Sequence, residues 1–520
     1  MLAALHLGNF KAFAAPVRVP IRPLTLIFGP NSAGKSSLIH GLALGHEATR
    51  LKGRLDITRT KVGGDAIDLG GFRQYIHRRA LEQRVTWGAE IRIDPETSYL
   101  MPGSDRFVML ASFGLPLDDK GRPLARAKPT LTFYELSIND ESRFRMSRRP
   151  DGQLHIDELT PSFAKFLQLF RDGHPASSKE GRVWSETELA EAIATVVAKP
   201  VGLFPELTGA DSDIVGFVGA IRLVLAIVSH CIDRGLGRLS YLGPLRSYPP
   251  RHMAFAEQDD TNWAAGGGRA WDRMRKSKNL RDAVNAWLGS KERLQTPYKI
   301  LLRRYIAPIT AQGAIGAGID EILNKLNERD ESVEDEEAPT NTSPMDRDAL
   351  IKLMTQKLLH DHDVEGDEDL VLVDMRTDTT VSHRDVGIGI SQVLPVLVEA
   401  YGNKDRLVAI EQPEIHLHPR LQAELGDVFI ESALGERKNT FLLETHSEHL
   451  LLRIMRRMRE TAEGKVAEGQ HPVHPEDVMV LYVEPDGPRS IVRQMPLNER
   501  GELVKAWPGG FFEEGLREVF

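Results

Sequence analysis

The sequence predicts an α/β fold organised around a phosphate-binding loop, and three observations carry that prediction. Residues 29–36 read Gly29-Pro-Asn-Ser-Ala-Gly34-Lys35-Ser36. The run Leu24-Thr-Leu-Ile-Phe28 before it is apolar and β-branched, as a buried strand requires, and Ser36–Gly45 after it has helical spacing. Far downstream, Arg406-Leu-Val-Ala-Ile410-Glu411 is a second apolar strand that ends in a carboxylate. In a loop of this kind the glycines let the backbone turn its N–H groups onto phosphate oxygens. Lys35 reaches the β- and γ-phosphates, the Ser36 hydroxyl is placed for Mg²⁺, and the helix N-terminus faces the phosphates. An acid at the end of a partner strand is Walker-B chemistry. ATP and Mg²⁺ are therefore the expected ligands.

The elements follow in order. Leu2–Leu7 and Val17–Val19 read as short strands leading into the loop. Residues 84–94, 106–113 and 130–156 alternate or are β-branched between Gly and Asp breaks, which predicts an antiparallel sheet. Phe163–Phe170, Thr187–Val197 and Ile214–Ile232 have helix-like apolar spacing, as do residues 279–290, and Tyr298–Ile306 reads as a strand. Residues 327–346 are acidic, contain Pro, Ser and Thr, and hold almost no large apolar group, which predicts a disordered insertion. From Leu370 strands and helices alternate again. The expected divisions are 1–156 (loop and antiparallel lobe), 157–368 (mainly helical insertion), 369–470 (second part of the head) and 471–520 (a small C-terminal domain).

Composition limits the function classes. The 520 residues carry 66 Lys plus Arg against 74 Asp plus Glu, a net charge of −8, which argues against general nucleic-acid affinity but leaves room for a local basic face. The single Cys231 excludes a disulfide framework and a multi-cysteine metal site, and its apolar surroundings predict a packed thiol. No apolar run reaches transmembrane length and no signal-peptide pattern opens the chain, so a cytoplasmic protein without membrane contact is expected.

Spacing adds detail. About 370 residues separate the loop from Glu411, and Asp385-Val-Gly387-Ile-Gly389-Ile-Ser391-Gln392, a Gly-rich helix start, lies just before Glu411. Glu411-Gln412-Pro413-Glu414-Ile415-His416-Leu417-His418-Pro419 follows, and then the strand Asn439-Thr-Phe-Leu-Leu-Glu444 with Thr445-His446-Ser447. This split site resembles the ABC-type ATPase heads, in the SMC, RecF and OLD group rather than the transporters. More narrowly it resembles bacterial AAA-labelled predicted ATPases of the OLD-like group that carry a C-terminal domain of unknown function. Asn9–Phe13, Tyr241-Leu-Gly-Pro-Leu-Arg246-Ser-Tyr-Pro-Pro-Arg251 and Trp507–Phe512 extend the resemblance to both ends of the chain.

The resemblance implies an ABC-type head with an antiparallel β lobe and a helical insertion, and it assigns roles. Asn31, Ser32, Gly34, Lys35, Ser36 and Ser37 would hold phosphates and Mg²⁺, with Glu411 as Walker-B acid. Gly387, Gly389, Ser391 and Gln392 would form the signature turn that meets the γ-phosphate of a second subunit. His446 would be the switch histidine and Ile415–Pro419 the D-loop. Phe10 and Lys11 would lie near the adenine, and Gln74 would serve as the glutamine-loop ligand of the metal. It further implies a homodimer or higher oligomer closed on ATP, possible contact with DNA, and a nuclease or toxin effector encoded nearby, as in antiphage defence. An ATPase subunit of a transport or DNA-repair complex is the alternative.

Two departures stand out. Gln412 occupies the usual position of the catalytic base and cannot accept a proton from water; either Glu414 serves, or hydrolysis is slow and ATP acts as a clamp. The signature also has glycine where a serine usually contacts phosphate. Other clusters have simpler readings. His416 and His418 read as D-loop packing, and His360–Asp369 as a solvated acidic loop. Three arginine-rich groups, at 143–149, 273–281 and 453–459, read as solvated faces or as nucleic-acid contacts. Arg246 reads as a structural clamp or an anion contact. No nuclease motif is visible, and Leu481–Asp486 reads as a strand end.

Overall fold

The computed structural model describes all residues except 52–53, 94–100, 102, 174–183, 209–214, 247–261, 291–292, 306–366, 382–385 and 511–520. The acidic segment 327–346, Arg251, Asp385 and the end of the tail motif lie outside the described residues. The chain forms two compact units: Met1–Ser247, Asp259–Ala270 and Gly387–Phe520 make the first, and Tyr248–Gln258 with Trp271–Val386 the second.

The chain begins with β1 (Leu2–Gly8), β2 (Val17–Pro20), β3 (Leu24–Phe28) and α1 (Lys35–Arg50), followed by a small hairpin, β4 (Arg59–Thr60) and β5 (Gly64–Asp68), and the short α2 (Phe72–Tyr75). Next come β6 (Val85–Arg92), β7 (Arg106–Gly114), β8 (Thr130–Ile138), β9 (Ser142–Arg148), β10 (Leu154–Leu159), α3 (Pro161–Gly173), α4 (Glu186–Thr195), β11 (Val197–Val201), β12 (Phe204–Thr208), α5 (Val215–Gly237) and β13 (Leu239–Leu242). The middle holds α6 (Gly268–Lys276), α7 (Lys278–Gly289), β14 (Tyr298–Tyr305), β15 (Asp367–Asp374) and β16 (Thr379–Val381). The last stretch is α8 (Ile388–Gly402), β17 (Leu407–Glu411), α9 (Pro419–Leu434), β18 (Thr440–Glu444), α10 (Glu448–Ala462), β19 (Val478–Asp486) and β20 (Arg489–Gln494).

Two sheets make the first unit. The six-stranded sheet runs β13-β17-β18-β3-β19-β20, parallel except for β20. Its central strands β3 and β17 are buried at every position, which is why they read as unbroken apolar runs. The second sheet, β12-β11-β10-β9-β8-β7-β6-β1-β2, is antiparallel throughout. Its strands alternate, as in β7, because one face packs inward and the other faces water. One hydrophobic core joins α1 to this lobe, and the fully buried Trp87 donates its indole N–H to the Gly41 carbonyl of α1 at 2.9 Å. The fold is thus α/β, with the P-loop on a mainly parallel sheet and a large antiparallel lobe beside it.

The boundaries differ from the sequence reading in three places. The lobe does not stop at 156: β11 and β12 extend it, so helices α3 and α4 interrupt a sheet rather than open a separate insertion. The tail from 471 is not a separate domain, because β19 pairs in parallel with β3, the strand that leads into the P-loop. A strand that completes a sheet begun hundreds of residues earlier shows no sign of that pairing in its local pattern. The third difference is at Asp369, expected in a solvated loop; it lies in β15, is 2 % exposed and accepts from the Leu370 amide.

In the second unit, β14, β15 and β16 form an antiparallel sheet beside α7. Ser277 caps α7, and the Asn285 side chain bonds both backbone groups of Ile300 on β14.

Candidate nucleotide site

The P-loop turns where β3 gives way to α1. Gly29 has φ 143°, and a Cβ there would lie 2.1 Å from the Val483 carbonyl oxygen of β19, so no other residue fits. Gly34 is the N-cap of α1; no side chain caps the helix and its first turn holds no acid. The first amides of α1 are therefore left for an anionic ligand. Asn31 and Ser32 are exposed, whereas Lys35 and Ser37 are buried. The Lys35 ammonium donates to the carbonyls of Gly29 and Pro30, each at 3.0 Å. Burial lowers its pKa, opposed by Glu444, Glu414 and Glu411.

Those three carboxylates form the other wall. Parallel pairing of β17 with β18 sets Glu411 directly beside Glu444. The Ser36 hydroxyl lies close to both. Burial, then repulsion from Glu444, pushes the Glu411 carboxyl up to about 7; Tyr241 and Ser36 pull the other way. Burial also raises Glu444, and its Oε2 is enclosed without a hydrogen-bond partner. Glu444 was not singled out from the sequence, although Thr440–Glu444 repeats the pattern of Leu407–Glu411: four residues of strand, then a glutamate.

Glu414 is differently placed. It is buried, and it accepts from the Thr445 hydroxyl (2.8 Å) and the His446 amide (2.7 Å), tying the D-loop to the histidine loop. Gln412 is partly buried with φ 47°, and its amide donates to the Glu444 carbonyl at 2.7 Å. The His446 Nε2 is buried without a partner, and burial followed by the Lys35 charge lowers the ring's pKa. His446 is thus a neutral ring with an unused polar atom near the P-loop lysine.

Two further side chains, Tyr241 and Arg246, complete the wall. The Tyr241 hydroxyl of β13 donates to Glu411 Oε1 at 3.0 Å. Arg246 acts as a clamp: its guanidinium donates to the carbonyls of Gln392 (3.2 Å), Glu411 (3.1 Å) and Gln412 (2.9 Å), and Gln392 Nε2 donates back to the Arg246 carbonyl (3.3 Å). One buried cation thereby joins the start of α8 to the end of β17. His40 is a third addition. It sits one turn after Ser36 on the same face of α1, a spacing visible in the sequence. Its ring contacts the Lys11 ammonium at 2.5 Å, and burial, then Lys11, pushes its pKa down to about 3. The ring is neutral, so its 3.9 Å approach to Glu411 is not an ion pair.

The other expected site residues are placed as follows. Phe10 is fully buried against Tyr75, with centroids 5.7 Å apart. Its role is to hold the hairpin that directs Lys11 toward His40. Gln74 is exposed on α2 and lies along Gly70. In the signature turn Gly387 is exposed, while Ser391 and Gln392 are buried. A Cβ on Gly389 would come within 2.8 Å of the His416 carbonyl, so glycine there lets α8 approach the D-loop closely. His418 is the N-cap of α9, accepting from the Arg420 amide, which accounts for it without a metal.

The oxygen donors fit Mg²⁺. A hydroxyl and one or two carboxylates, completed by phosphates and water, are the usual protein share of a Mg²⁺ shell, and the unpartnered Glu444 Oε2 marks an anionic pocket. Among the described residues no group of three or more His, Cys, Asp or Glu is placed to hold a metal ion. Nor is any described helix long and apolar enough to cross a membrane.

A family profile described as "AAA ATPase domain" matches residues 276–451, which hold α8, β17, α9 and β18. No curated protein matches. Solved structures similar to this chain include an SMC head bound to the C-terminal winged-helix domain of ScpA (10% identity, TM-score 0.35, covering 95% of this chain and 98% of that one). The SMC head domain from Thermotoga maritima is similar at 9% identity and TM-score 0.34, covering 95% and 99%. A third, an SMC head with an extended coiled coil bound to the C-terminal domain of ScpA, derived from Pyrococcus furiosus, gives 10% identity and TM-score 0.34, covering 100% and 98%. Similarities at this level do not bear on function. The P-loop geometry and the ATPase-domain match together mark the chain as an ATP-binding protein of the P-loop ATPase class.

Proposed function

We propose that this chain is a cytoplasmic, ATP-gated dimeric switch that hydrolyses ATP slowly and controls a partner effector. The observation that carries the reading is the constellation at the P-loop: Lys35 and Ser36 against Glu411 and Glu444, with the unpartnered His446 Nε2 beside them. Lys35 exchanges its two carbonyl partners for the β- and γ-phosphates. Ser36 and Glu411 hold the cation that screens phosphate charge, and His446 Nε2 meets the γ-phosphate. Asn31, Ser32, Gly34 and Ser37 belong to the phosphate loop; Gly387 and Gly389 present the start of α8 to a second subunit. Slow turnover is supported by Gln412 in the base position and by the engagement of Glu414 with Thr445 and His446.

The nucleic-acid, effector and antiphage-defence parts of the reading come from the family resemblance. The arginine groups do not add to them. Arg145 pairs with Glu135 and Glu158, Arg149 with Asp157, and Arg453 and Arg457 with Asp427, which gives these cations intrachain roles. An ATPase subunit of a transport or repair complex remains the alternative, and a permease gene beside this one would favour it.

The test is the mass of the purified protein with ATP, with ADP and without nucleotide, repeated with DNA. The wild type is expected to dimerise with ATP and Mg²⁺. Lys35→Ala should lose at least several-fold in ATP affinity, since charge-assisted phosphate contacts are strong, and should stay monomeric. Unchanged ATP affinity in Lys35→Ala would remove the foundation of the proposal.

A further inference from the structure

The P-loop cation site contains one carboxylate more than its motifs require. Glu411 and Glu444 are register partners on adjacent parallel strands, so their side chains leave the same edge of the sheet on the same face. The Ser36 hydroxyl lies close to both. Glu444 is 5 % exposed, and one of its two oxygens has no partner. Enclosing an anionic oxygen without a donor is costly unless a positive charge completes it. The Lys35 charge acts on Glu444, but its ammonium is engaged with the Gly29 and Pro30 carbonyls. Once Lys35 turns to phosphate, both carboxylates face the hydroxyl of Ser36 with no cation between them. Gln74, the residue expected to complete the metal shell, is exposed and lies along Gly70.

We infer that Glu444 is a second carboxylate anchor for the divalent cation of the bound nucleotide, acting directly or through one water, in the role expected of Gln74. The inference rests on the ATP-binding reading above. Charge supports it. Two carboxylates and a hydroxyl match a divalent ion, whereas a single carboxylate would suffice beside a lysine. The arrangement also suits a clamp, because a cation held by two strands of the sheet ties β17 and β18 to the same phosphates.

The test is ATP titration calorimetry, in Mg²⁺ and in EDTA, on wild type, Glu444→Gln and Glu411→Gln, with Mn²⁺ binding by the nucleotide-loaded proteins read by electron paramagnetic resonance. Glu444→Gln keeps the side chain's shape and an acceptor for Ser36, so the fold should survive. It should lose about tenfold or more of the Mg²⁺-dependent gain in ATP affinity, the loss expected when a group supporting a metal is removed, and bind Mn²⁺ more weakly. Its affinity in EDTA should not fall. Full retention of the Mg²⁺ gain in Glu444→Gln overturns the inference, whether or not turnover is lost, and so does a gain in thermal stability with metal binding unchanged. If Glu444→Gln does not fold, Glu444→Asp should show a smaller loss of the same kind, and full retention there is equally adverse. A wild type that binds no ATP in either condition would defeat the ATP-binding reading itself, an outcome distinct from these.

Discussion

Gln412 and Glu414 lie two positions apart, and backbone geometry separates their roles. Glu414 spends both oxygens on Thr445 and His446, so a water would have to displace one of these donors to reach it. Gln412 leaves the end of β17 with a left-handed backbone and its carbonyl held by Arg246. Wild-type turnover should accordingly lie below the common enzymatic range of about 1–10³ s⁻¹. Gln412→Glu should raise it by supplying a proton acceptor. Glu414→Gln should change turnover little but cost about 1–3 kcal/mol of stability, because one buried donor loses its acceptor. Steady-state phosphate release and thermal melts on both variants check this. Fast wild-type turnover, abolished only in Glu414→Gln, would make Glu414 the base.

At the scale of elements, α9 and α10 are locked together by charge. Asp427 of α9 accepts from Arg453 (2.5 Å) and Arg457 (2.7 Å) of α10, and Arg453 also reaches Glu424. Burial alone would raise the Asp427 carboxyl, but Arg457 and Arg453 hold it below the ordinary range. A carboxyl lowered in the folded state adds stability above its unfolded pKa of about 3.9 and loses it as pH falls through the folded value. Asp427→Asn should cost about 2 kcal/mol near neutral pH, the scale of hydrogen bonds to charged groups. The difference in Tm from wild type should hold from pH 8 to pH 5 and shrink below about pH 4. A difference that grows on acidification would contradict the assignment. The sequence showed these arginines as a row on one helix, with Glu460 of the same helix as a local partner of Arg456 and Arg457; Glu424 and Asp427 lie on α9, and only the packing of α9 against α10 identifies them.

For the whole molecule, the division of labour follows composition. Residues 327–346 bring almost no apolar area to offset the entropy of ordering them. Replacing them with a short Gly/Ser link should leave Tm and ATP affinity nearly intact, as differential scanning calorimetry and titration would show. A loss of several degrees would mean that the segment docks on the protein. The first unit, by contrast, draws its six-stranded sheet from residues 24–28, 239–242, 407–411, 440–444 and 478–494. Removing β19 and β20 should therefore unfold the head rather than trim a domain, since β19 supplies the backbone against which Gly29 turns.

The P-loop, the strands that flank it, the antiparallel lobe and the end of β17 were legible because each is a local pattern: glycine spacing, apolar runs and alternation all act within about ten residues. Lys35, Ser36 and Glu411 came with those patterns. Tertiary structure decided the rest. Glu444 enters the site only because β18 pairs in register with β17, Tyr241 and Arg246 because β13 lies on the other side of β17, and His40 because the Phe10 hairpin brings Lys11 to α1. The same long-range pairing placed Phe10 in the core and β19 in the central sheet. Local sequence specifies which residues can bind phosphate and metal; the order of strands in the sheet specifies which of them meet, because parallel neighbours are joined by hydrogen bonds between segments distant along the chain.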